Sequence, residues 1–108
     1  PHLIEAVRML QEGQLAERWK RARDAYFSNK WEIAAWELSG IAESLENGVV
    51  GELLGTNQLR YLRFIAHARL AKCYRELGAI VPAIVENRLV EEFITRLWPR
   101  GQVLFDVG

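Results

Sequence analysis

Residues 68–84 read ARLAKCYRELGAIVPAI, and this run decides the fold. Up to Leu77 the apolar positions recur every three or four residues. Leu59, Leu62, Ala66, Leu70, Cys73 and Leu77 fall on one face of a helix over about 57–77. Gly78 stops it, because glycine accepts the left-handed backbone that closes a helix. Pro82 then suits the first turn of a second helix, where a missing N–H leaves no bond unmade. That helix runs from about 80 to 97 with Leu89, Val90, Phe93, Ile94 and Leu97 inward, and Pro99 and Gly101 end it. So short a connection makes the two helices antiparallel neighbours.

Working toward the N-terminus, KWEIAAWELSGIAESLEN (30–47) carries Trp31, Ala34, Leu38, Ile41, Ala42 and Leu45 on one helical face. Asn29 and Glu32 read as a capping box at its start, and Asn47-Gly48 closes its end. Further upstream, Leu15, Trp19, Ala22 and Tyr26 form one stripe of a helix over about 2–28. Leu3, Val7 and Leu10 form an earlier stripe slightly out of phase. Gly13 lies between the two, where a glycine costs on the order of 1 kcal/mol relative to alanine, so a kink or break is expected there. Residues 49–56 (VVGELLGT) read as an apolar loop, with Thr56 or Asn57 capping the third helix. Residues 98–108 read as a tail. The expected architecture is all-α, a single domain forming an antiparallel three- to four-helix bundle or stacked helical hairpins.

Composition narrows the function classes. Fourteen basic and fourteen acidic side chains cancel, which argues against non-specific nucleic-acid binding and against an anionic membrane surface. No apolar run approaches the roughly 18 residues of a spanning helix. Cys73 has no cysteine to pair with. A cytoplasmic location is the expectation, with export left open because Pro1 is not an initiator residue. Charge is divided between helices. The third carries Arg60, Arg63, Arg69, Lys72 and Arg75 against Glu76, and the second Glu32, Glu37, Glu43 and Glu46 against Lys30. Helices of opposite sign are expected side by side.

Two hairpins share a pattern. Trp19, Ala22 and Tyr26 precede a turn that Ala34 follows, while Leu70, Tyr74 and Gly78 precede a turn that Ala83 and Ile84 follow. The run 68–84, and less fully 15–42, resembles the tetratricopeptide repeat: a large residue, a tyrosine four later, a turn glycine, and a small alanine where paired helices touch. The resemblance implies a protein-interaction module. The first hairpin departs from it, with a turn read as shorter and lacking glycine, and Tyr26 and Tyr74 lie 48 residues apart against a family period of about 34. Residues 30–47 are also similar to a segment of small exported bacterial helical proteins that resemble cytochrome c. Those carry a Cys-x-x-Cys-His haem attachment, which this sequence lacks, so only a helical bundle carries over and no cofactor is expected.

Few residues suggest chemistry. His67 and Cys73 project from their helix roughly 120° apart and, with His2, do not make up a four-ligand metal set. Cys73 lies on the apolar stripe as a small buried hydrophobe. GVVGELLG (48–55) lacks the lysine and order of a phosphate loop. No catalytic constellation emerges, and the chain is not expected to be an enzyme. Glu86 falls on the inward arc of its helix and must find a partner. Arg60, Arg63, His67 and Tyr74 form a polar strip on the third helix, and Glu86 is expected to meet Arg63 or His67. The alternatives are an interhelical ion pair, a glutamate reaching solvent near the helix start, or part of a small-ligand pocket between helices. Ile33, Trp36 and Gly40 form a second apolar strip on the second helix, away from Leu38 and Leu45, as Tyr61, Phe64 and Ala68 do on the third. A helix apolar on two faces packs on two faces. The third helix is therefore expected to be central. The Ile33/Trp36/Gly40 strip is either covered by the first helix or the 49–55 loop, or is a contact for a protein partner or a second copy of the chain.

Overall fold

A computed structural model describes residues 2–46 and 56–97, with side chains described over 13–46 and 57–95. Four helices follow in order: α1 (His2–Phe27), α2 (Trp31–Leu45), α3 (Thr56–Glu76) and α4 (Ile80–Leu97). The all-α expectation holds, and the boundaries lie within two residues of those read from the sequence. α1 runs through Gly13 without a break. The 49–55 loop and the 98–108 tail lie outside the described residues.

Each helix packs against the next in the chain, α1 on α2, α2 on α3 and α3 on α4. α3 is thus central, as its two apolar strips predict, and so is α2. The core holds Ala22 and Ala25 from α1, Ala34, Ala35, Leu38, Ile41 and Leu45 from α2, and Ala66, Leu70 and Cys73 from α3. Half of these are alanines, which let helix axes approach toward the short end of the usual 8–10 Å range. On α3 two residues of the predicted stripes stay out. Leu77 is 45% exposed, because α3 ends at Glu76 and Leu77 already belongs to the turn. Tyr61 is 52% exposed, on the side of α3 that neither neighbour covers.

The two hairpin turns are built alike. Lys30 N–H donates to Ala25 C=O at 2.9 Å and Asn29 N–H to Tyr26 C=O at 3.2 Å. Ala79 N–H donates to Tyr74 C=O at 2.8 Å and Gly78 N–H to Arg75 C=O at 3.1 Å. This paired bonding across the last turn is the Schellman motif, with its left-handed residue at Asn29 (φ 60°) and at Gly78 (φ 76°). The capping box expected at Asn29 and Glu32 is therefore absent. Asn29 closes α1 instead of opening α2, whose N-cap is Lys30 without a side-chain cap bond. The turns are equal in length, and asparagine, the side chain most tolerant of that backbone, stands where the second hairpin has glycine.

Aligning the turns sets the internal repeat at 49 residues, the separation of Asn29 and Gly78, in place of the 48 between the tyrosines. At this offset Ala22 matches Ala71, Ala34 matches Ala83, and all four are buried. A Cβ at Gly78 would meet nothing within 4 Å, so its cost is purely backbone. Gly78→Ala is expected to lower stability by about 1 kcal/mol, whereas Asn29→Gly should change it by less than about 0.5 kcal/mol. Urea midpoints of the two variants check this, and equal destabilisation by both would contradict the shared turn geometry.

Candidate functional site

The 49-residue offset also relates two polar contacts to a glutamate, both between the helices of a hairpin. In the second hairpin His67 Nδ1 and Glu86 Oε2 lie 2.5 Å apart, with side chains 12% and 15% exposed. Of the two partners expected for Glu86, His67 is the one that meets it. The His67 ring also lies 5.5 Å from that of Phe93. In the first hairpin the matching positions are Arg18 and Glu37, 3.3 Å apart from Nε to Oε1. One turn further along α1, Arg21 Nε donates to Glu37 Oε2 at 2.6 Å.

Glu37 is only 4% exposed. The sequence reading counted it among the acids of α2 set against the basic third helix; it is buried and pairs with α1 instead. The signal was present: Glu37 follows Ala34 by three residues and precedes Ile41 by four, spacings that put it on the buried stripe. A carboxylate there is tolerable only with cations beside it, and α1 supplies two at i and i+3.

Arg18 connects this pair to the apolar strip of α2. Its guanidinium lies 5.1 Å from the centroid of the Trp36 ring, within cation–π range. The same group occupies the space where a Cβ on residue 40 would stand. The close approach that Gly40 allows is thus made by Arg18 of the same chain. Trp36 stays 69% exposed and Ile33 55%. α1 therefore covers one ring face through a single side chain and leaves the rest of the strip open.

A second exposed apolar patch escaped the sequence reading. Leu77, Ile80, Val81, Ile84 and Val85 are each 45–72% exposed around the start of α4. Val85 stands at the position equivalent to Trp36, and Ile84 at that of buried Ala35. The equivalence explains the difference in burial. α3 covers that face of α2, and no described helix follows α4.

The other residues of the polar strip on α3 are dispersed. Arg63 Nη2 pairs at 2.7 Å with Oε1 of Glu46, the C-cap of α2, and its guanidinium also lies 5.2 Å from the Phe93 ring. Tyr74 Oη is 3.3 Å from Ser39 Oγ. Arg60 is exposed. The structure therefore joins His67 to Glu86 and directs Arg63 and Tyr74 toward α2.

Cys73 is fully buried, and burial pushes its thiol up to about 11. A thiol held protonated at neutral pH is a poor nucleophile. Among the described residues no three His, Cys, Asp or Glu side chains are grouped to hold a metal ion. No described helix is long and apolar enough to cross a membrane. In comparison with known proteins, the chain matches no family model, no curated protein and no solved structure.

Proposed function

We propose that the chain is a non-enzymatic helical interaction module that docks a protein partner, or a second copy of itself, through the α2 face formed by Ile33 and Trp36 and shaped by Gly40. The exposure of Trp36, 69% on a helix otherwise packed on both flanks, is the observation that carries this reading. Large indole rings left in water are costly, and they are enriched where binding energy concentrates. Arg18 supports the assignment by bracing one face of the ring. A side chain already immobilised loses less entropy on binding. The alternative, a small-ligand pocket around Arg60, Arg63, His67, Tyr74 and Glu86, draws less support, because His67 and Glu86 satisfy each other and Arg63 is engaged by Glu46.

Trp36→Glu tests the reading. Because the ring is exposed, the substitution should change stability by less than about 1 kcal/mol. In sedimentation equilibrium it should abolish any self-association that the unsubstituted chain shows. Where the unsubstituted chain is monomeric, a photoreactive group at position 33 should crosslink a protein that the Trp36→Glu chain fails to retain. A large loss of stability, or identical association and crosslinking in both chains, would remove the proposal.

A further inference from the structure

The residue after Arg18 points about 100° around α1, toward α3, and meets a different arrangement. The Arg69 guanidinium lies 6.0 Å from the Trp19 ring centroid and 5.3 Å from those of Tyr26 and Phe27. Lys72 Nζ, one turn on, lies 5.8 Å from the Trp31 ring, which itself packs edge-on against Tyr26 at 5.6 Å. Arg75 follows three residues further along α3, about one turn beyond Lys72, and is exposed. Two cations thus lie over four aromatic rings where α1, α2 and α3 meet near the first turn, with Arg75 one turn beyond them on the same helix.

Four nearby arginines have a carboxylate partner. Glu37 takes Arg18 and Arg21, Glu46 takes Arg63, and Asp24 takes Arg23. Among the described residues Arg69, Lys72 and Arg75 have none within 4.0 Å. Arg69 and Lys72 are held in place by ring faces that attract the charge but accept few hydrogen bonds. Phe27 (67% exposed) and Arg75 leave the cluster open to solvent. Two cations positioned on rings and an exposed third beside them, on a protein of zero net charge, form a local site for carboxylates.

We infer that this cluster binds an acidic polypeptide segment of a partner protein, its carboxylates accepting from Arg69, Lys72 and Arg75. Charge-assisted and bidentate bonds of this kind are roughly twice as strong as neutral ones. A nucleic acid fits less well. Single strands are gripped by stacking bases on open ring faces, and here Arg69 and Lys72 already lie over Trp19, Tyr26, Phe27 and Trp31. Nor does a chain with fourteen acidic and fourteen basic residues supply a long basic track.

The site is separate from the Trp36 face, and so is its test. A short synthetic peptide rich in Glu and Asp is titrated into the full chain and followed by calorimetry. A single-stranded oligonucleotide of similar length and a Lys-rich peptide serve as the other arms. Binding of the acidic peptide alone is expected. It should weaken as salt rises from about 50 to about 200 mM, and fall roughly tenfold or more in Lys72→Glu/Arg75→Glu. Arg75→Gln, at an exposed side chain without a partner in the chain, should weaken it several-fold while leaving the helical circular dichroism unchanged. Arg88→Glu on α4 and Trp36→Glu should leave it as it was, so loss of the Trp36 reading would not remove this one. Equal affinity in the charge-reversed and unsubstituted chains, no binding of the acidic peptide, or tighter binding of the oligonucleotide would overturn the inference.

Discussion

Leu38→Ala is expected to lower the unfolding free energy by about 3 kcal/mol, within the range for emptying a closed leucine site. Leu38 is 1% exposed and sits on α2, the helix with neighbours on both sides, so α1 and α3 cannot both close over the lost volume. For a domain of this length the midpoint of thermal unfolding should fall by roughly 10–20 °C. The 49-residue repeat supplies an internal control. The equivalent residue on α4 is Asn87, which is exposed because no described helix covers that face. Asn87→Ala should stay within about 0.5 kcal/mol of the unsubstituted chain. Parallel urea titrations measure both, and a Leu38→Ala loss below about 1 kcal/mol would mean the α2–α3 seam is not closed as described.

Glu37→Ala is expected to cost about 2–3 kcal/mol. Removing one member of a buried charge set leaves its partners uncompensated. The cost falls short of the upper range because Arg21 and Arg18 side chains are 58% and 29% exposed and can return partly to water. Glu37→Gln keeps the shape and one acceptor for Arg21, and should cost only about 1 kcal/mol. A second readout separates this from a packing effect. Arg18 is shared between Glu37 and the Trp36 ring, so releasing it should change the accessibility of the indole to an acrylamide quencher. If Glu37→Ala matches Glu37→Gln in stability and quenching, the arginines are not anchored by the carboxylate.

Much of the fold was legible because it rests on local rules. Helix boundaries followed from the three-four spacing of apolar residues and from glycine, proline and asparagine at the ends. The exception is instructive. Asn29 serves equally as an N-cap acceptor or as a left-handed closing residue, and the sequence reading chose the first. Only the path of the backbone through both neighbouring helices decides between them. Once that was known, the repeat shifted by one residue and aligned Glu37 with Glu86, a match the tyrosine spacing had hidden.

The amino-acid sequence by itself determined an all-α chain of three to four helices, their antiparallel neighbours, a central third helix, and which strips were apolar twice over. These are properties of periodicity and short connections, so each can be read within about twenty residues. Tertiary structure alone decided that Arg18 would fill the gap at Gly40, that Arg63 would turn to Glu46 and leave Glu86 to His67, and that Arg69 and Lys72 would lie on rings instead of beside carboxylates. Those outcomes depend on which faces of distant helices oppose each other and at what rotation. Long charged side chains can satisfy several such arrangements equally well until packing of the alanine-rich seams selects one.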